Sequence, residues 1–175
     1  SASGNFVAFA SEASNLETQQ FDFDLVTPVS DTNGVEDIYL YNHRARQTEL
    51  VSVRMSPTSD LVTGLLRLLQ RGSFAPSISA DGRYVVFKTL DNYVTPNRDS
   101  NPFQDDYAPD IFMYDRYAPG SVTQTVKISL AEDGSQTDVF QTSFPAISGN
   151  KRFVDFTTED RCFPVGHLLG GYCHD

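Results

Sequence analysis

The chain has 175 residues, 39% hydrophobic and 21% charged, an ordinary globular composition within the size of one domain. Its formal net charge of −10 repels phosphate backbones and anionic lipid, which argues against nucleic-acid binding and membrane docking and leaves a cation, a basic partner or plain solubility. No apolar run reaches the ~20 residues that a spanning helix needs.

In chain order, Ser1-Ala2-Ser3-Gly4 is a small polar turn ahead of the apolar run Phe6-Val7-Ala8-Phe9. Such a short apolar run after a turn reads as a strand buried on both faces. A start at Ser1 rather than Met fits a processed chain or a fragment. Phe21-Asp22-Phe23-Asp24-Leu25-Val26 alternates, as an extra edge hairpin would, inside an insert over 17–30. Asp37-Ile38-Tyr39-Leu40-Tyr41-Asn42 reads as a second buried strand, and the more polar run from Glu49 to Val53 as an outer one. Residues 59–72 predict a helix: Ser59 or Asp60 caps it, Leu61, Leu65, Leu68 and Leu69 share a face, and Gly72 stops it. That helix either binds a partner or packs its leucines on the flank of the sheets.

The same order of elements then returns. Ala75-Pro76-Ser77-Ile78-Ser79 leads into Ser79-Ala80-Asp81-Gly82-Arg83-Tyr84-Val85-Val86-Phe87, which aligns with the first nine residues. After a loop-like insert over 95–109, Asp110-Ile111-Phe112-Met113-Tyr114-Asp115 matches the strand at Asp37. The run from Thr125 to Ser129 is aligned with that from Glu49 to Val53. A third copy begins at Phe144-Pro145-Ala146-Ile147-Ser148 and continues through Gly149-Asn150-Lys151-Arg152-Phe153-Val154-Asp155-Phe156. Each full unit therefore reads as proline strand, turn, apolar strand, loop, Asp-Ile-aromatic strand, turn, outer strand. That is a four-stranded antiparallel sheet, one blade of a β-propeller.

The pattern from Pro76 to Phe87, with the Asp-Ile-aromatic strands at Asp37 and Asp110, resembles the TolB-like β-propeller repeat. Asp31-Thr32-Asn33-Gly34 resembles the loop that many bacterial members carry there. The resemblance implies an all-β fold of propeller blades, in an incomplete ring of about two to three, with one short inserted helix. The divisions are 1–56 for strands two to four of a first blade, 57–73 for the helical insert and 74–130 for a second blade. A connector over 131–142 and a third blade's start with a cysteine loop over 143–175 complete the chain. A ring closes with ~4–8 blades, so the remainder comes from a longer polypeptide or from neighbouring subunits.

Asp31, Asn33 and Asp37 are the first metal candidates, because a hard cation such as Ca²⁺ takes oxygen ligands that a tight Asp/Asn loop can converge. The matching region of the second unit offers Asp99, Asn101, Asp105, Asp106 and Asp110. The same residues equally favour turns, and Asp37 and Asp110 can cap strands. Cys162 and Cys173, with Gly170 and Gly171 between them, can close a disulfide loop, which implies an oxidising compartment, or can be free thiols. His174 directly after Cys173 distantly resembles the Cys-x-x-Cys-His haem attachment signature, with Cys162 much farther away than that signature allows. His43 belongs to a hairpin turn and is expected to face solvent. Neither a Gly-x-Ser-x-Gly elbow nor a His-Glu-x-x-His helix occurs.

The expectation is a non-catalytic binding or scaffolding module of a periplasmic or extracellular protein, with loops presented to a protein, peptide or glycan. The alternatives are a propeller portion of a larger hydrolase or multihaem protein, or a structural subunit of an extracellular assembly.

Overall fold

The computed structural model describes residues 1–16, 20–21, 28–29, 31, 34–53, 72–90, 94, 109–118, 124–130 and 141–159. Among the described residues the chain is all-β and antiparallel, with no helical element. The described residues form eleven strands: β1 (Phe6–Ser11), β2 (Gln20–Phe21), β3 (Pro28–Val29), β4 (Asp37–Asn42), β5 (Gln47–Leu50), β6 (Ser73–Ile78), β7 (Tyr84–Thr89), β8 (Asp110–Asp115), β9 (Thr125–Lys127), β10 (Gln141–Ile147) and β11 (Val154–Glu159). The first sheet runs β1-β4-β5, the second β6-β7-β8-β9, the third β10-β11, and β2 and β3 form a two-residue ladder of their own.

The matched sequence segments form matched strands in one register. Phe6 pairs with Asn42 and Ser11 with Asp37, as Tyr84 pairs with Asp115 and Thr89 with Asp110. β4 and β8 are buried along most of their length, because their Ile-aromatic runs are covered on both faces.

One turn occurs three times. Ser79 Oγ donates to Asp81 Oδ1 at 2.6 Å and accepts the Tyr84 amide at 3.0 Å, while Gly82 N–H donates to the Ser79 carbonyl at 3.0 Å. Ser148 repeats this with Asn150 (2.9 Å), Phe153 (3.0 Å) and Lys151 (2.8 Å). Ser1 repeats it with Ser3 (3.4 Å), Phe6 (3.1 Å) and Gly4 (3.1 Å). The third turn residue supplies an acceptor, and the fourth takes positive φ: 69° at Gly4, 76° at Gly82 and 57° at Lys151. Glycine adopts that conformation without steric cost. Lys151 does so in exchange for a 3.1 Å contact with Asp81 of the neighbouring sheet.

The proline strands also agree. Ala75 (φ 52°) and Phe144 (φ 54°) each stand before a proline, and the ladders shift register there, between Phe74 and Ser77 and between Ser143 and Ala146. Each strand carries a β-bulge at the same place.

The first two sheets share one core. Ile38, Leu40 and Val51 of the first sheet pack with Val85, Phe87, Phe112 and Tyr114 of the second, and Phe6, Ala8, Ala10 and Ile78 border them. Phe87 stacks on Phe112 with ring centroids 6.2 Å apart.

One sequence expectation needs adjustment, and two fall largely outside the described residues. The predicted hairpin around Phe21 is represented by the β2–β3 ladder, which brackets residues 22–27, themselves outside the described residues. The outer strands align one residue differently from the sequence match. Tyr39 faces Leu50 as Phe112 faces Lys127, so Ser52 corresponds to Ser129, and Glu49 to Val126 rather than Thr125. Long-range bonding to the Asp-Ile strand sets this register, which sequence similarity in so short a run does not reveal. The helix predicted over 59–72 lies outside the described residues except for Gly72, which is buried in extended chain ahead of β6.

Gly4 and Gly82 share a backbone conformation but differ in surroundings. A Cβ on Gly82 would run into the Phe6 ring, whereas one on Gly4 meets nothing within 4 Å. Gly4→Ala is therefore expected to cost about 1–2 kcal/mol from backbone strain alone. Gly82→Ala should cost a further ~1–3 kcal/mol from overpacking between sheets. Paired urea melts of the two variants measure the difference.

Candidate interaction ends and buried polar clusters

Strand direction divides the molecule into two ends. Each of β1, β7 and β11 starts from the serine-locked turn, and the β4–β5 and β8–β9 connections lie at that same end. The longer connections, between β1 and β4, β5 and β6, β7 and β8, and β9 and β10, all leave from and return to the opposite end. Loops carried on one side of a rigid sheet scaffold are the usual place for recognition.

Two aspartates at the loop end perform the same structural task. Asp37 Oδ1 accepts Ser52 Oγ–H at 2.6 Å, and Ser52 Oγ accepts the Ile38 amide at 3.0 Å. Asp110 Oδ1 accepts Ser129 Oγ–H at 2.7 Å, and Ser129 Oγ accepts the Ile111 amide at 3.1 Å. Each aspartate thus orients a serine that closes the ladder between the Asp-Ile strand and the outer strand. Asp110 also meets Lys127 Nζ at 2.8 Å, with both side chains about nine-tenths buried. In the first sheet Leu50 occupies the Lys127 position. Asp31 is buried, and its Oδ2 accepts the Tyr39 hydroxyl at 2.8 Å.

Asp31, Asp37 and Asp110 are therefore each engaged in protein hydrogen bonds, and the described residues hold no group of three His, Cys, Asp or Glu side chains placed for a metal ion. Asn33, Asp99, Asn101, Asp105 and Asp106 lie outside the described residues, as do Cys162, Cys173 and His174. His43 is exposed in its hairpin turn, edge-on to Tyr41.

The turn end collects cations in an otherwise acidic chain. Arg44, Arg46, Arg83, Arg116, Lys151 and Arg152 all stand there. Several form a ladder with aromatic rings. The Arg116 guanidinium is 4.3 Å from the Phe6 ring centroid and 5.7 Å from that of Tyr117; Arg83 is 5.5 Å from Tyr117 and 4.8 Å from Tyr84. Lys151 Nζ then lies 5.5 Å from Tyr84. The series crosses all three sheets and joins them through cation–π attraction. Arg83 also forks onto Asp115, Nε to Oδ1 at 2.7 Å and Nη2 to Oδ2 at 2.6 Å, which holds the Asp115 carboxyl below its ordinary range. Asp81 is held down at about 2 by the Ser79 hydroxyl first and the Arg83 amide second.

Between β5 of the first sheet and the β8–β9 connection of the second, Arg116 Nε lies 3.3 Å from Glu49 Oε1. Burial pushes the Glu49 carboxyl above its ordinary value, and Arg116 opposes that rise. Burial raises the neighbouring Tyr114 hydroxyl as well, with the Glu49 charge adding to it, while Gln124 donates to it at 3.1 Å.

Sequence reasoning missed the serine partners, the Lys127 ion pair and the cation–aromatic ladder. Serine recurring after each outer strand was the one available signal for the first. Neither protein-family models nor curated protein sequences match the chain. Among the described residues no helix is long and apolar enough to cross a membrane.

Removing Asp110 strands a buried ammonium, so Asp110→Ala is expected to destabilise by about 3–5 kcal/mol in chemical melts. Glu49 binds its proton more tightly when folded than when unfolded. The stability it contributes is thus present below the ordinary glutamate value and lost as pH rises through the raised one. Glu49→Gln should remove that component, seen as a flatter stability profile from pH 4 upward, with both ends of the profile measured by urea titration.

Proposed function

We propose that the three sheets are successive blades of an incomplete TolB-like β-propeller, and that the chain is a non-catalytic binding or scaffolding module. In this reading it belongs to an exported or cell-surface protein and presents its loop end to a protein, peptide or glycan.

One observation carries the proposal. The Ala2 amide donates to the Ala80 carbonyl at 3.0 Å, and the Ala80 amide donates to the Gly149 carbonyl at 3.2 Å. These are the second residues of the three serine turns. The same donor in one sheet meets the same acceptor in the next, twice in the same sense. A repeated head-to-tail contact between equivalent atoms is what successive propeller blades require, and each unit alone is too small to bury its own faces.

Two further features favour binding over chemistry. Most buried polar groups of the described residues hold strands and sheets together through hydrogen bonds, while Glu49 Oε1 is met by the Arg116 ion pair alone. The long connections share one end, where the acidic Asp31, Glu36, Asp37 and Asp110 also lie, so a partner meeting that end encounters many side chains on a rigid support. The rest of the ring is assigned to a longer polypeptide or to neighbouring subunits.

An experimental structure tests the architecture. The rotation from the first sheet to the second should equal that from the second to the third; unequal rotations would remove the propeller. Peptide and glycan arrays test the role. Binding should fall by about tenfold or more when residues 95–108 are replaced by a short Gly-Ser linker, and should persist in Arg44→Ala at the opposite end. Loss through the turn-end variant alone would place recognition elsewhere.

A further inference from the structure

Formal charge is summed over a whole chain, but a bound ion responds to the charge near it. Here the strands keep the two ends apart: β8 has six residues, which at about 3.3 Å each span about 20 Å. Screening at physiological salt has a length of about 8 Å. The acidic connections therefore act weakly at the turn end, and the net charge of −10 does not govern what docks there. Among the described residues that end carries six cations against four carboxylates, Asp81, Asp115, Glu49 and Asp155.

The cations form a line. Arg44 donates from Nε to Asn5 Oδ1 at 3.1 Å, and Asn5 precedes Phe6, the ring on which Arg116 lies. Arg116 and Arg83 then flank Tyr117, and Arg83 and Lys151 flank Tyr84. Positive groups thus alternate with flat rings across all three sheets. Phe6 and Tyr84 are half-buried, while Tyr117 is 64% exposed in the β8–β9 connection. Arg83 is fixed by its fork onto Asp115, and Arg116 by Glu49. The Tyr117 ring is therefore held between two placed guanidinium groups before any ligand arrives. Arg44 and Arg46, both exposed in the β4–β5 connection, make no ion pair among the described residues.

We propose that this line binds an acidic polysaccharide, one with carboxylate or sulfate groups repeated along it. Arginine recognises such groups through parallel N–H donors. The negative face of an exposed aromatic ring attracts the C–H groups of a sugar ring. A chain-like ligand suits a line of contacts, because contacts too weak to hold it singly act together once it is bound at one of them. A single-stranded nucleic acid would need successive exposed rings for its bases, and here only Tyr117 of the three rings is largely exposed. A run of acidic residues in a peptide would meet the cations and leave the ring unused. The inference does not need the blade reading, and it concerns the end opposite the long connections.

The test follows fluorescein-labelled oligogalacturonate and sulfated dextran oligosaccharides by anisotropy as the intact chain is added, with unmodified dextran alongside. Saturable binding of one or both acidic sugars is expected, weakened by added salt, with none of the unmodified dextran. The two acidic sugars separate carboxylate from sulfate as the group recognised. Arg44→Ser combined with Arg46→Ser, and separately Tyr117→Ala, should each weaken binding by about tenfold, and Tyr117→Phe should retain it. Urea melts of these variants should match the parent chain; if Tyr117→Ala unfolds, the paired arginine variant still decides. Replacing residues 95–108 by a Gly-Ser linker should leave this binding unchanged, which separates it from recognition at the loop end. No binding of either acidic sugar overturns the inference. So does equal binding of poly-glutamate or of single-stranded DNA of matched charge, or binding that the turn-end variants do not alter.

Discussion

The amide and carbonyl of Ala80 join the molecule. Its carbonyl receives the first sheet through Ala2, and its amide reaches the third through Gly149. Main-chain groups taken from water must find partners, and here they find them across sheets instead of within one. That is possible only because the turn is rigid. A serine hydroxyl accepts the amide that follows the turn and donates to the turn's third residue, which fixes the second residue so that its polar groups point sideways. Side-chain contacts follow from this placement. Phe6 lies over Gly82, and Tyr84 comes near Lys151, because the turns on which they depend are already aligned.

The parts of the fold that were legible in the sequence are those governed by local bonding. The turn of Ser79, Asp81 and Gly82 is closed by contacts a few residues apart, so its residue types must recur wherever it does. The apolar runs at Tyr84 and Asp110 could be read because both faces are covered and nothing polar is tolerated. The outer strand was misplaced by one residue because its register depends on Ser129 reaching Asp110, a contact between distant parts of the chain. The aspartates were legible as a repeated feature but not as to purpose. Alternating Asp and Asn are the chemistry of a cation loop and also of a strand-closing carboxylate, and only the position of the serines distinguishes the second. The separation of charge between ends was invisible until strand direction was known.

That separation bears on how the module would work. Cations at the turn end are largely engaged: Arg83 by Asp115, Arg116 by Glu49 and Lys151 by Asp81. The Arg116 and Lys151 pairs tie neighbouring sheets together, and the Arg83 pair joins β7 to β8 within the second sheet. At the acidic loop end the Asp37–Ser52 and Asp110–Ser129 pairs repeat, and the Ser73 amide bonds the Glu36 carbonyl of the first sheet, while the sequences of the connections beyond them differ between units. Variation confined to connections carried on repeated sheets is the arrangement in which loops can change without disturbing their support.

The bulge in the proline strands has a consequence for the molecule among its own kind. β6 and β10 are terminal strands of their sheets, and a terminal strand with an unbroken row of donors invites indefinite growth into fibres. Here the row is interrupted twice over, by a left-handed residue that throws the register and by an imino acid that has no hydrogen to give. Phe144, 78% exposed on that bulge, can therefore sit in water without seeding a zipper of stacked copies.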